Sequence, residues 1–96
     1  MVYKIAWTNT AWDTYMENIS YLKQDWSSAE VSQFILVVEE KLKLLARFPE
    51  IGKPRSDKQP NIRQTLIHKR ISLIYQVQKE TKIIELLIFW NNYKMP

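Results

Sequence analysis

Residues 62–90, IRQTLIHKRISLIYQVQKETKIIELLIFW, decide the fold. Within Arg70–Gln78, Ile71, Leu73, Tyr75 and Val77 alternate with Arg70, Ser72, Gln76 and Gln78, and Ile74 is the single apolar intruder. A period of two carried by β-branched and aromatic residues predicts a half-buried strand. Lys79-Glu80-Thr81 has no apolar side chain and predicts a turn. Ile83–Trp90 is then an apolar run broken only by Glu85, the pattern of a strand covered on both faces. Upstream, Ile62–His68 places Ile62, Gln64, Leu66 and His68 on one side and Arg63, Thr65 and Ile67 on the other. The short connections make antiparallel pairing the default, so the segment predicts a meander with Arg70–Gln78 in the middle.

Working outward, Val2–Trp7 alternates Tyr3, Ile5 and Trp7 against Lys4 and Ala6 and reads as a short strand. Thr10-Ala11-Trp12-Asp13 has the form of a capping box, a hydroxyl with a carboxylate three residues on. It opens a helix to about Trp26, with Trp12, Tyr15, Met16, Ile19, Leu22 and Trp26 at the 3.6-residue period of a core-facing stripe. Ser27-Ser28-Ala29-Glu30 is a second such box. The helix after it presents Val31, Phe34, Ile35, Val38, Leu42 and Leu45 to the core, and Pro49 stops it near Phe48. A connection this short folds the helices back as a hairpin. Pro49–Pro60 holds three of the four prolines and the only glycine, so it reads as a loop, with Gly52 at a positive φ. The expected order is β-α-α-β-β-β: an α+β fold, one domain over residues 1–96, with the helical hairpin packed on a small, mainly antiparallel sheet.

Ninety-six residues can bury roughly 60–65% of the unfolded surface. The absence of cysteine excludes a disulfide framework and a thiolate metal site, and fits a cytoplasmic protein. MVYKIAWTNT lacks a signal-peptide core, and no run approaches the ~20 apolar residues of a membrane span, so no membrane partner is expected. Residues 1–50 carry five basic side chains against seven acidic ones, a net of −2, whereas residues 51–96 carry nine against three, a net of +6. Such one-sidedness points to nucleic acid or an acidic protein segment as partner, or else to chance clustering on a solvated surface. Asp13, Glu17, Asp25, Glu39 and Glu40 have no convergent spacing, so neither a metal site nor a carboxylate pair is expected. A single glycine excludes a phosphate-cradling glycine loop, and no cofactor is implied.

Four motifs in order, P-E-I-G-K-P at 49–54, I-R at 62–63, L-I-Y at 73–75 and F-W-N-N-Y-K-M-P at 89–96, make the chain resemble the RelE/ParE superfamily over nearly its whole length. These are toxins of type II toxin–antitoxin, or plasmid stabilisation, modules. The resemblance implies a co-expressed antitoxin with an acidic, disordered neutralising segment. In the RelE branch it implies ribosome-dependent mRNA cleavage, and in the ParE branch inhibition of DNA gyrase. Cutting RNA needs a base near the 2′-hydroxyl, a donor for the leaving oxygen and cations for the phosphorane. Arg63, Arg70 and Tyr93 are the catalytic candidates, and Lys53, Arg55, Lys69 and Lys94 the nucleic-acid-binding ones. Tyr93 reads equally as an aromatic that packs the tail onto the core. Members of the family commonly carry arginine where this chain has Ser72 and Tyr93, with Arg70 a substitute for the first. His68 beside a turn reads as a surface side chain before it reads as an acid or base. The aromatic stripe of the first helix reads as core, with one or two tryptophans free to line a partner groove. The charge on the sheet half favours the RNA reading. The alternatives are a non-enzymatic gyrase inhibitor and a binding module without toxicity. Convergence of Arg63, Arg70 and Tyr93 on one concave face favours cleavage; divergence counts against it.

Overall fold

A computed structural model of the chain describes residues 2–92. The elements run β1 (Lys4–Trp7), α1 (Asn9–Leu22), α2 (Ser28–Arg47), β2 (Lys53–Ser56), β3 (Gln59–His68), β4 (Ile71–Gln78) and β5 (Ile83–Asn91). They form a helical hairpin on one face of a five-stranded sheet of order β1-β5-β4-β3-β2. The expected meander is present with β4 at its centre, and β1 is the one parallel strand, laid against β5. No helix among the described residues is long and apolar enough to cross a membrane.

The proline-rich segment expected as loop contains a further strand. Lys53 pairs with Gln64 and Pro54 with Arg63, so β2 forms the sheet edge and β3 starts as early as Gln59. An edge is where a strand tolerates proline, and Lys53, Pro54 and Arg55 there oppose pairing with another chain. Gly52 is also not at positive φ. Glycine is required by close approach: a Cβ would lie 2.6 Å from Tyr75 Oη and 2.9 Å from both Gln64 O and Tyr75 Cε1.

The helix starts divide. Ser27 and Glu30 form the expected capping box, each side chain taking the other's backbone N–H at 3.2 Å. In α1 the cap is Thr8, not Thr10: Thr8 Oγ1 accepts from Ala11 N at 3.0 Å and donates to Leu86 O at 2.7 Å. A cap that is also bonded to β5 prevails over one offering local bonds alone. Shifting the start and ending the helix at Leu22 changes the buried stripe to Ala11, Tyr15, Asn18, Ile19 and Leu22. Trp12 and Met16, expected in the core, are exposed. Asn18 is buried but satisfied, its Nδ2 donating to Thr14 O and Phe89 O at 2.8 Å each.

One buried cluster joins the layers, with Phe34, Val38 and Leu45 of α2 in the same group as Leu73, Tyr75, Val77, Ile84, Leu86 and Phe89. Among the described residues, no helix covers the other sheet face. Along β5, Ile84, Leu86, Phe89 and Asn91 are buried, while Ile83, Glu85, Leu87 and Ile88 are half-exposed and Trp90 exposed. The strand read as covered on both faces is therefore covered on one. A register shift between Leu66 and His68 sets His68 beside Ile71 and rotates it off the Leu66 side onto the helix side.

Candidate functional site

The uncovered face holds a groove of about 620 Å³ against the sheet edge. Its rim is Ile51–Arg55, and its floor is Gln64, Thr65, Leu66 and Ser72. Strand periodicity builds it: Lys53 is opposite Gln64, and Leu66 is opposite Ser72. Arg55 Nη1 donates to Gln64 Oε1 at 2.7 Å, which aims the guanidinium along the floor. Ser72 is 2% exposed and donates to Asn92 Oδ1 at 3.1 Å, so a small buried hydroxyl stands at this end of the groove. Leu66, 57% exposed, adds apolar surface to the groove, and Trp90, Ser72's neighbour on β5, adds more beside it. The groove thus combines two cations, an amide, a hydroxyl and apolar relief.

Arg63 and Tyr75 pair across β3 and β4 on the opposite face and hold the loop that leaves α2. Arg63 Nη1 donates to Gly52 O at 2.7 Å and to Glu50 O at 3.1 Å, and Nη2 lies 3.5 Å from Glu50 Oε2. Tyr75 Oη donates to Pro49 O at 2.8 Å and accepts from Gly52 N at 2.9 Å. Burial pushes the Tyr75 pKa up, opposed by the Gly52 N–H and the Arg63 charge. The hydroxyl therefore keeps the proton it donates.

Arg70 lies at the far end of β4, its Nη1 donating to Asp25 Oδ2 at 3.4 Å in the α1–α2 connection. From the Tyr75 level to Ile71 the strand rises roughly 13 Å at about 3.3 Å per residue, so Arg63 and Arg70 do not share a point of attack. His68 Nδ1 accepts from Arg70 N at 3.1 Å, and the ring meets Trp26 edge-on at 4.9 Å. Burial lowers its pKa, helped by Lys69 and Arg70. A cleft of about 190 Å³ beside it is lined by Trp26, Phe34, Val37 and Ile67. Lys69 is in the β3–β4 turn, where its carbonyl takes Asn92 Nδ2 at 3.4 Å. Tyr93 and Lys94 lie outside the described residues.

Of the sequence candidates, then, Lys53 and Arg55 meet in the groove, whereas Arg63 and Arg70 stand apart on the helix side. Gln64 and Leu66 were not picked out, although their period-two spacing with Ile62 already put them on one side. Their neutral side chains gave no reason to single them out. On α1 the exposed Trp12, 52% accessible, packs edge-on against Trp7 at 5.4 Å. Trp12, Met16 and Tyr21 line a shallow acidic depression with Asp13 and Glu17.

A helical hairpin on one face of a sheet, with a basic groove on the other, defines a small α+β domain of RelE/ParE-like architecture. The model of the ParE toxin of the type II toxin–antitoxin system parDE matches residues 5–91, so the chain belongs to that family and, with it, to the RelE/ParE superfamily. No curated protein sequence matches. Among solved structures it is similar to the chromosomal ParDE toxin–antitoxin system of P. aeruginosa, with TM-score 0.72, 16% identity, and coverage of 94% of this chain and 96% of that one. It is similar to the toxin–antitoxin complex RelBE2 of Mycobacterium tuberculosis, with TM-score 0.66, 18% identity, and coverage of 95% and 99%. It is also similar to isolated E. coli RelE, with TM-score 0.63, 18% identity, and coverage of 97% and 87%. Likeness at such identities is one of fold.

Proposed function

We propose that this toxin acts by binding its target rather than by cutting RNA, as a ParE-type inhibitor of DNA gyrase in the cytoplasm. The observation that carries this reading is the commitment of the two candidate arginines. Arg63 is spent on Glu50 and Gly52, and Arg70 reaches Asp25 at the other end of β4. In-line attack on a phosphodiester needs base, acid and cations within hydrogen-bond reach of one phosphate. Among the described residues that line the groove, none is a carboxylate or an imidazole. Induction in cells, followed by plasmid supercoiling and bulk mRNA decay, tests the reading. Relaxed plasmid with unchanged mRNA half-lives is expected; rapid mRNA loss with normal supercoiling overturns it. Ribosome-dependent cleavage is the second reading, favoured by Lys53 and Arg55 on the groove rim, and requires that Lys53→Ala with Arg55→Ala abolish mRNA loss.

The antitoxin segment belongs in the same groove. Its chemistry is acidic and amphipathic, with carboxylates toward Lys53 and Arg55 and apolar anchors on Leu66 and Trp90. Disordered alone, it folds as it wraps the toxin. Opposite charge speeds encounter, while the anchors slow release. The solved RelBE2 and ParDE systems pair toxin with antitoxin, which supports a cognate partner here.

A further inference from the structure

The chain leaves α2 at Phe48 and enters β2 at Lys53, so the path of Pro49–Gly52 sets where Lys53 and Arg55 stand. Two side chains from beneath bond the backbone along that path. Arg63 Nη1 grips the Glu50 and Gly52 carbonyls, and Tyr75 Oη grips the Pro49 carbonyl and the Gly52 N–H. All four bonds end on loop backbone. The Arg63 side chain is 13% exposed and Tyr75 is fully buried, so neither offers much surface to a visitor. The carboxylate of Glu50, 3.5 Å from both Arg63 Nη2 and Lys79 Nζ, balances the Arg63 charge on the helix side. Gly52 has no Cβ to hold the loop off the phenol.

We infer that Arg63 and Tyr75 are positioning residues for the outer-face groove, clamping Pro49–Gly52 so that Lys53 and Arg55 are presented to an acidic partner that the clamp itself does not touch. The inference rests on the reading of the groove as the acidic-partner site. Its physical basis is preorganisation. An ordered rim spares the partner the cost of immobilising two long cationic side chains and the strand beneath them. Arginine suits the task because one planar guanidinium meets both carbonyls through Nη1 while Nη2 faces the Glu50 carboxylate, a fixed three-way geometry that a lysine ammonium, a point donor on a flexible stem, does not reproduce.

The test uses the intact protein and fluorescein-labelled hexaglutamate, followed by anisotropy at several salt concentrations. Tyr75→Phe keeps the packed ring and loses the hydroxyl; Arg63→Lys keeps the charge and loses the fork. Each is expected to weaken binding about five- to tenfold, as for the disorder of one or two interfacial side chains. Neither should lessen the sensitivity of binding to salt, whereas Lys53→Ala and Arg55→Ala should. In the Lys53→Ala/Arg55→Ala background, Tyr75→Phe should have no further effect, because the side chains it positions are gone. Circular dichroism checks each fold, and Arg63→Lys carries the test where Tyr75→Phe melts too early. Parent-like binding by Arg63→Lys, or additivity of Tyr75→Phe with the rim variants, overturns the clamp and leaves the groove standing. Failure of the parent itself to bind hexaglutamate overturns the groove reading and the clamp with it.

Discussion

Replacing Gly52 by alanine probes the clamp with one methyl group. The backbone there is not at positive φ, so the substitution carries no conformational penalty. Its cost is steric, because the new Cβ would sit 2.6 Å from Tyr75 Oη and 2.9 Å from Gln64 O. Tyr75 is fully buried in the core cluster and Gln64 O is backbone, so neither yields readily. Overpacking of this kind costs about 1–3 kcal/mol. Displacing the loop also weakens the Gly52 N–H to Tyr75 Oη bond, about 0.5–1.5 kcal/mol. Against these, alanine restricts the unfolded chain and returns about 0.4–1 kcal/mol. The net is about 2 kcal/mol of lost stability, and in a domain this small the melting midpoint should fall by roughly 8–16 °C. Urea titration gives the free energy directly. The double variant Gly52→Ala/Tyr75→Phe sharpens the test: deleting Oη removes the shortest contact, so it should be less destabilised than the two single variants combined. A Gly52→Ala midpoint within about 0.5 kcal/mol of the parent, or strict additivity with Tyr75→Phe, would refute the argument that the loop lies against that hydroxyl.

Leu73→Ala, at a fully buried position in the cluster with Phe34 and Val38, should cost about 2–5 kcal/mol by urea titration, and a parent-like midpoint would put the wrong face of β4 inward. Thr8→Ala should cost about 0.5–2 kcal/mol while Thr10→Ala is near neutral; the reverse order would restore Thr10 as the α1 cap. Burial, then Lys69 and Arg70, depresses the His68 pKa, so the unfolded chain takes up that proton first as pH falls. Its contribution is therefore present above the unfolded value of about 6.5 and lost as pH falls from there through the folded pKa. The difference in urea midpoint between parent and His68→Gln should change across that window; a flat difference contradicts the assignment. Leu66→Asp, at a mostly exposed position, should leave stability within about 0.5 kcal/mol yet weaken hexaglutamate binding, and unchanged binding would exclude Leu66 from the site.

The meander, the helical hairpin and the Ser27–Glu30 cap were readable because they rest on local periodicity and on side chains that bond within a few residues. What escaped reading depends on contacts between distant residues. Thr8 becomes a cap because Leu86, far along the chain, bonds the same hydroxyl. β2 was hidden because proline argues against a strand unless the strand is known to lie on an edge, and edge position belongs to the assembled sheet. Gly52 announced a constraint, but its cause is the phenol of Tyr75 and not its own dihedral angle. His68 changed sides through a bulge that alternation does not reveal. At the site, the residue types were legible and their sides were not. Lys53 and Arg55 looked like loop residues, and whether Arg63 and Arg70 share a face was left open by alternation alone.

The charge asymmetry resolves in the same way. By sequence halves, the sheet portion carries +6 and the helical portion −2. The fold partly closes that gap, because the acidic groups that reach across come from the first half: Asp25 to Arg70, and Glu50 to both Arg63 and Lys79. Pairs whose carboxylate is solvent-exposed contribute little to stability, but they offset positive charge on the helix side. On the groove rim, Arg55 is held by the neutral amide of Gln64. Lys53 and Arg55 stand at the uncovered face, in the groove that Leu66 also lines. An antiparallel sheet ordinarily alternates apolar-in with polar-out on such a face. β5 does not, and its apolar run leaves Ile83, Leu87 and Ile88 half-exposed and Trp90 exposed.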